Sequence, residues 1–280
     1  MLPRLHLVLA LFFCSLSARG SSDCGSIPIA IATANLSNNR TQAYEDPAIR
    51  ILQALRPDVV AIQEFNFKGG HSKDLVRQIF GPAYYFAREK GGVRLPNGIL
   101  SRYPIVAFGQ WDDPFVLNRR FAWATIDVPG PKRLHVVSVH LVQNRAVDRA
   151  PEARHLLQLI RDNFPEDDYV VLCGDFNVRS RKAEALAVLT EWFVDDRHPA
   201  DQNGNPNTNA NRNRPYDFVL PNPALAPLHA PTVLAGVSFP DGVVFDSRLW
   251  NPPPPPAEWD DSSLDMQHMP VMKTFLLPRH

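Results

Sequence analysis

The chain has 280 residues, of which 45% are hydrophobic and 21% are charged, a composition typical of a globular protein. Its 29 basic and 29 acidic side chains give a formal net charge of zero, so no overall field draws it to DNA or to an anionic membrane. Any surface that binds phosphate must therefore be local. The 27 prolines against 14 glycines indicate rigid turns and long irregular connections.

The first 22 residues are typical of an export signal. Arg4 precedes an apolar stretch from Leu7 to Leu16, and small and polar residues follow. The stretch is too short to span a membrane, so residues 1–22 are predicted to be a signal peptide. The mature chain, 23–280, is predicted to be secreted or periplasmic, with no membrane span.

Two cysteines remain after removal of the predicted signal peptide, Cys24 and Cys173. Cys173 belongs to a predicted interior strand, where it is most simply a small buried hydrophobe. An oxidising compartment would permit a disulfide between the two, and the sequence leaves that pairing open.

Short apolar runs alternate with segments of helical spacing along the mature chain. The runs predict strands at 27–34, 59–63, 99–100, 121–128, 135–141, 169–173, 217–220 and 271–276, and the spacing predicts helices at 47–55, 73–80, 151–163 and 182–190. This mixture predicts one layered α/β domain with two sheets and outer helices. Two segments read as long loops: 201–214, which has six asparagines, and 240–263, which has five consecutive prolines.

Acids, amides and imidazoles stand where the predicted strands end. The clearest case is Gly-Asp-Phe-Asn at 174–177, directly after an apolar run. Because successive side chains of a strand point to opposite faces, Asp175 and Asn177 can converge on one point. A simple turn is the alternative interpretation of this tetrapeptide. The remaining polar residues at predicted strand ends are Asn35, Glu64, His140, Asp217 and His268.

In order and context these residues resemble the endonuclease/exonuclease/phosphatase superfamily. The resemblance is carried by Thr-Ala-Asn-Leu at 33–36, Ala-Ile-Gln-Glu at 61–64, Asn-Gly-Ile-Leu-Ser-Arg-Tyr-Pro-Ile at 97–105, Val-Ser-Val-His-Leu at 137–141, Gly-Asp-Phe-Asn at 174–177, Arg-Pro-Tyr-Asp-Phe-Val-Leu at 214–220 and Gln-His-Met-Pro-Val at 267–271. It spans nearly all of the mature chain. It implies a DNase I-like four-layered sandwich, with two mixed β-sheets packed face to face and helices outside.

The resemblance also implies hydrolysis of phosphodiesters with a divalent metal, Mg²⁺ or else Mn²⁺ or Ca²⁺. Glu64 would be the principal metal ligand, with Asn35 supporting the same site. Family members usually carry Ser-Asp-His before the final Pro-Val, whereas this chain has Met-Gln-His. Gln267 offers a neutral oxygen in place of a carboxylate, which predicts weaker metal binding, and Asp265 could substitute only with a different backbone path.

The catalytic roles implied by the resemblance fall on five residues. Asp175 would orient and deprotonate the attacking water, and Asn177 would hold that water or the phosphate. His268 would bind the scissile phosphate or share in proton transfer, with Asp217 paired to it. His140 would donate to a phosphate oxygen or to the leaving group.

Three hypotheses about the substrate stay open. For a nuclease, Arg179 and Arg214 would contact substrate phosphates, within a basic track that could also include Arg119, Arg120, Arg181, Lys182 and Arg212; ordinary solvated surface is the alternative. For a phospholipid or inositol-phosphate phosphodiesterase, Phe245, Trp250 and Trp259 are candidate contacts. The third hypothesis, a non-catalytic binding module, rests on Gln267 alone. Nucleic acid is the favoured substrate.

Overall fold

The computed structural model describes residues 25–279. The predicted signal peptide and Cys24 therefore lie outside the described residues. Cys173 is buried and carries a free thiol. None of the helices within residues 25–279 has the length and apolar character that a membrane-spanning segment needs.

One mixed sheet contains seven strands. They are β1 (Ser26–Ala34), β2 (Val59–Ile62), β3 (Tyr85–Arg88), β4 (Gly98–Ser101), β10 (His229–Ala230), β13 (Val243–Val244) and β14 (Val271–Pro278). Their order is β10-β14-β1-β2-β4-β3, and β13 also pairs with β14. The central strand β1 runs antiparallel to β14 and parallel to β2.

The second sheet has five strands in the order β5-β6-β7-β8-β9. They are β5 (Ile105–Trp111), β6 (Phe121–Ile126), β7 (Leu134–His140), β8 (Tyr169–Asp175) and β9 (Asp217–Pro221). Only β7 and β8 are parallel neighbours; the other pairs are antiparallel. A separate hairpin joins β11 (Thr232–Leu234) to β12 (Val237–Phe239).

Two hydrophobic clusters hold the layers together. The larger joins the facing sides of both sheets and also takes in α1 (Asp46–Leu55) and α2 (Ser72–Phe80). The smaller packs the other side of the second sheet against α3 (Arg149–Asn163) and α4 (Glu184–Leu189). The result is the predicted sandwich of two mixed sheets with outer helices, and the prediction of the fold class is confirmed.

Each strand and helix predicted from the sequence is present, and six strands were not predicted. The unpredicted strands are β3, β5, β10, β11, β12 and β13, and β13 interrupts the loop predicted at 240–263. Most of them are very short, and β5 is an edge strand whose residues are half-buried or exposed. Neither kind of strand needs a continuous apolar run, so the hydrophobic pattern gave no signal.

Candidate active site

The topology brings the polar strand ends to one edge of the sandwich. Asn35 follows β1 directly, and Glu64 comes two residues after the parallel strand β2. His140 and Asp175 end the parallel strands β7 and β8 and are partners in the register. Asp217 opens β9 and pairs with Asp175. Parallel strands finish at the same edge, so residues far apart in sequence meet there.

The carboxylate of Asp175 lies at the centre of the site. Its Oδ2 is 3.2 Å from His140 Nε2 and 3.7 Å from His268 Nε2. Asn35 donates its side-chain amide to the same oxygen at 3.3 Å. The other oxygen, Oδ1, accepts the backbone N–H of Asn177 at 2.8 Å. Two imidazoles and two amides therefore converge on one buried carboxylate.

His268 is held by Asp217, as the resemblance implied. Its Nδ1 lies 2.8 Å from Asp217 Oδ2 and 3.1 Å from Oδ1. Thr208 donates its hydroxyl to Asp217 Oδ2 at 2.6 Å. The ring of Tyr216 lies against the imidazole, with centroids 5.4 Å apart. The imidazole is thus oriented by a carboxylate that is itself hydrogen bonded.

Glu64 lies on the far side of His140 from Asp175. Its Oε2 accepts the Ser37 hydroxyl at 2.7 Å and the side-chain amide of Gln267 at 2.9 Å. Its Oε1 faces His140 Nδ1 at 3.9 Å, beyond hydrogen-bond range. That nitrogen is buried and has no hydrogen-bond partner among the described residues.

Charge is distributed unequally between the two imidazoles. Burial, followed by the charges of Arg119 and His268, puts the pKa of His140 well below its usual value, so this ring is neutral. Burial also disfavours the charged form of His268, but Asp217 and Asp175 overcome that effect and raise its pKa to about 9. Burial raises the pKa of Asp175 above its usual range. At neutral pH, therefore, the neutral imidazole of His140 and the charged imidazole of His268 both lie beside the carboxylate of Asp175.

Sharp turns follow the strands that carry the site. Glu64 and Asn177 both adopt the left-handed region, with φ of 51°. Gly174 has φ of 155°, and a Cβ there would lie 2.0 Å from the Val139 carbonyl oxygen. Only glycine allows β8 to approach β7 so closely, and this approach aligns Asp175 with His140.

Two supporting residues, Ser37 and Thr208, were missed by the sequence reasoning, and Arg119 was assigned a different role, in the basic track. Ser37 lies two residues beyond Asn35 in the same turn, and that proximity was an available signal. Thr208 lies within the asparagine-rich loop, and Arg119 precedes β6 in a loop. Their contacts depend on segments that are distant in sequence, so no local pattern could reveal them.

Most of the proposed basic track has other partners. Arg119 is buried behind His140 and donates to its backbone carbonyl. Arg120 pairs with Asp112, Arg181 with Asp195, and Arg212 with Asp201 and Asp246. These four arginines are therefore bound by groups of the protein itself, and the pairings give no support to their part in the hypothetical phosphate track. Lys182 is exposed, two residues before the start of α4.

Arg179 and Arg214 are placed differently from the other arginines. Arg179 is exposed two residues after Asn177, and Arg214 is half-buried three residues before Asp217. Among residues 25–279 no carboxylate lies within ion-pair distance of either. Arg149 is close enough to Arg179, Tyr216 and Asp175 for their charges to act on its guanidinium. Arg179 and Arg214 therefore remain candidates for contact with substrate.

Other candidates from the sequence have structural roles. Phe245 and Trp250 are buried in the larger cluster, so they cannot contact a lipid as proposed, whereas Trp259 is 61% exposed. Asp265 is exposed and pairs with Arg40, so it does not replace the missing carboxylate near Glu64.

The asparagine-rich loop is organised around the guanidinium of Arg212. Its nitrogens donate to Asp201 Oδ2 at 2.6 Å, to Asp246 Oδ2 at 2.7 Å, and to the carbonyls of Asn205 and Asn207 at 3.3 and 2.7 Å. The same loop contributes Thr208 to the site. A partly buried cation thus holds a segment that has almost no apolar side chains.

Replacing Arg212 with leucine is expected to lower the free energy of unfolding by about 3–5 kcal/mol, because two buried carboxylates lose a charged partner. The matched control is Arg197→Leu, whose pair with Asp241 is largely exposed, with 55% and 41% side-chain accessibility. That variant is expected to lose less than about 1 kcal/mol. Urea denaturation measures both, and equal losses would contradict the role given to Arg212.

Comparison with known proteins identifies the family. Residues 32–257 match the model described as the endonuclease/exonuclease/phosphatase family. The chain belongs to this family. Its members are generally metal-dependent phosphodiester hydrolases, and the resemblance seen in the sequence is confirmed. A search of curated proteins finds no match.

Solved structures of family proteins share the fold. An endonuclease/exonuclease/phosphatase protein from Beutenbergia cavernae has a TM-score of 0.61 and 17% identity, covering 89% of this chain and 72% of that one. Truncated Caenorhabditis elegans TDP2 has a TM-score of 0.59 and 13% identity, covering 89% and 97%. Sphingomyelinase C from Streptomyces griseocarneus has a TM-score of 0.55 and 18% identity, covering 89% and 99%.

The donor set near Glu64 suits the divalent metal that the family uses. The Glu64 carboxylate and the Asn35 amide oxygen are hard oxygen ligands, and both residues are buried. The unpartnered His140 Nδ1 faces the same space. Gln267, predicted as a third ligand, directs its amide nitrogen toward Glu64 and Ser37. Glu64 and Asn35 could therefore hold Mg²⁺, Mn²⁺ or Ca²⁺.

Proposed function

We propose that this protein is a secreted, divalent-metal-dependent phosphodiester hydrolase that acts on nucleic acid. The observation that carries the proposal is the convergence of His140, His268 and Asn35 on Asp175, with Glu64 beside them. Such a cluster provides a base, a charged donor and a neutral donor around one point. The apolar stretch at 7–16 supports secretion.

Each residue has a role that fits its environment. A metal held by Glu64 and Asn35 would neutralise charge on the phosphate. Asp175 accepts the proton of the attacking water, and its burial makes it a stronger base than a solvated carboxylate. His268, held in its charged form, donates to a non-bridging phosphate oxygen. Asp217 is hydrogen bonded to Nδ1 of His268, so the Nε2 atom of His268 faces the substrate.

His140 and Asn177 complete the site. The neutral imidazole of His140 donates through Nε2 toward the phosphate or the leaving oxygen. Asn177 donates its side-chain amide to the Leu141 carbonyl at 2.9 Å and its backbone N–H to the Asp175 carboxylate. It therefore holds Asp175 in place and keeps its amide oxygen for water or phosphate.

Arg179 and Arg214 favour nucleic acid over a single small phosphoester. Both flank the catalytic turns and have no carboxylate partner in the described part of the chain. A polynucleotide offers phosphates on either side of the cleaved bond, and unpaired arginines suit them. A phospholipid is the alternative substrate, supported by the sphingomyelinase fold match and the exposed Trp259.

A substrate panel tests the proposal. The mature chain is incubated with Mg²⁺ and, separately, with plasmid DNA, single-stranded RNA, sphingomyelin vesicles and bis-p-nitrophenyl phosphate. Cleavage of DNA or RNA, abolished by EDTA and weakened in Arg179→Ala together with Arg214→Ala, is the expected result. Cleavage of sphingomyelin alone would overturn the nucleic-acid assignment, and no cleavage of any substrate would favour a binding module.

A further inference from the structure

A buried lysine on β14 has few hydrogen-bond partners. Lys273 is 2% exposed and lies opposite Ile31 in the register of β14 with β1. Its Nζ donates a single hydrogen bond, to the backbone carbonyl of Arg197 at 2.9 Å. An ammonium group carries three protons, so two of them have no acceptor among residues 25–279. Lysine is almost never buried so completely unless its charge is paired.

No carboxylate in the described part of the chain contacts the Lys273 ammonium within ion-pair distance. The acids whose charges act on it are Asp195 and Asp196. Both oxygens of Asp195 lie 2.6 Å from Nη1 of Arg181, and Asp196 is exposed to solvent. Burial lowers the pKa of Lys273 to about 8, so most of the lysine is still charged at neutral pH. Its charge therefore needs a counter-charge from another source.

Lys273 lines a small cavity where the two sheets approach each other. The cavity has a volume of about 10 Å³ and is also lined by residues of β9 and β13, by Arg181 and by Asp195. This volume admits one particle of about the size of a water molecule. The Nε atom of Arg181 is buried and has no hydrogen-bond partner within residues 25–279. Two cationic side chains with unfilled donors therefore line the same cavity.

The guanidinium of Arg181 is fixed in place by its neighbours. Asp195 binds Nη1 through both carboxylate oxygens, and the Phe218 ring centroid lies 4.9 Å from the guanidinium carbon. The cavity wall is thus organised by the protein itself. A ligand that accepts hydrogen bonds there would not have to order this side chain, which favours binding.

The charges around the cavity leave one positive charge unbalanced. Arg181 and Asp195 form an ion pair. Asp217, which also lines the cavity, is paired with the charged His268. Only Lys273 lacks a contacting counter-charge. A water molecule would accept from the free donors without balancing that charge, whereas a small anion would do both.

We propose that this cavity binds one monatomic anion, chloride in ordinary solutions, which accepts hydrogen bonds from Lys273 Nζ and Arg181 Nε. The small volume excludes phosphate, sulfate and organic carboxylates. Asp217 forms part of the same wall, so the anion site lies next to the carboxylate that orients His268.

Thermal unfolding of the full mature chain in chloride tests the site. Sodium chloride replaces sodium gluconate stepwise at pH 7 and constant ionic strength, because gluconate is too large for the cavity. An anion that binds only the folded state raises Tm. Each tenfold increase in chloride above its Kd should therefore raise Tm by about 3–6 °C.

Substitutions of Lys273 distinguish the site from a general effect of salt. Lys273→Met removes the charge and the donors, and Lys273→Gln removes the charge but keeps donors. Both variants should lose the chloride-dependent rise in Tm. Lys73→Met is the matched control, because Lys73 is exposed on α2, and it should respond as wild type does. A wild-type response in either Lys273 variant would overturn the proposal.

Bromide allows the anion to be located directly in the wild-type protein. Crystals of the mature chain soaked in sodium bromide should show an anomalous peak between Lys273 Nζ and Arg181 Nε. Density in the cavity without an anomalous signal would show water there and would overturn the proposal, even if the Lys273 variants do not fold. Neither measurement uses a substrate, so both decide the anion site independently of the proposed hydrolytic function.

Discussion

Replacing Asp175 with asparagine is expected to lower kcat by about 10²–10⁴-fold, the usual contribution of a positioned acid–base group. The asparagine retains an oxygen for the N–H of Asn177, which Asp175 Oδ1 now accepts at 2.8 Å, so the turn should keep its shape. What the variant loses is the basic oxygen that faces both imidazoles. Initial rates on the preferred substrate of the panel measure the effect.

The fold of this variant should survive. Asp175 is a buried carboxylate whose charged form is disfavoured by burial, so an uncharged isostere is expected to unfold at the same or a higher urea concentration. Asp167→Asn, in the exposed turn before β8, is the matched control and should keep wild-type activity. Wild-type kcat in Asp175→Asn would remove Asp175 from the mechanism.

Replacing Glu64 with glutamine is expected to weaken Mg²⁺ binding at least about 100-fold, because changes one shell further out already cost about 10–100-fold in metal sites. The amide oxygen can still accept from Ser37 and Gln267, which contact Glu64 Oε2 at 2.7 and 2.9 Å. The loss should therefore reflect the missing charge. Calorimetric titration with Mg²⁺ and electron paramagnetic resonance of bound Mn²⁺ measure it without any substrate.

A substitution at position 267, whose side chain contacts Glu64, is expected to have the opposite effect on metal binding. Gln267→Asp places a second carboxylate beside Glu64, which should tighten metal binding and lower stability in the absence of metal through repulsion between like charges. Asp265→Asn is the control, because that side chain is exposed and pairs with Arg40. Unchanged metal affinity in both Glu64→Gln and Gln267→Asp would place the metal elsewhere.

Much of the site could be predicted because its residues lie at strand ends. Glu64, His140 and Asp175 each follow an apolar run that a strand-forming chain buries, and nothing in the core accounts for a polar group there. The same reasoning could not distinguish arginines that are free to contact a phosphate from arginines that are bound within the protein. Arg119, Arg181 and Arg212 looked like phosphate ligands, yet each is bound by a carbonyl or carboxylate from another segment.

The sequence by itself determined the layered α/β fold, because alternating and continuous apolar runs specify buried strands locally. Its motifs at the strand ends carried the resemblance to the family and showed the acid, amide and imidazole types of the site. Only the tertiary structure decided the pairings. It placed His140 beside Asp175 and the side chain of Gln267 on Glu64. These contacts join segments separated by tens to hundreds of residues, and such contacts depend on how strands register and loops close, which no local pattern contains.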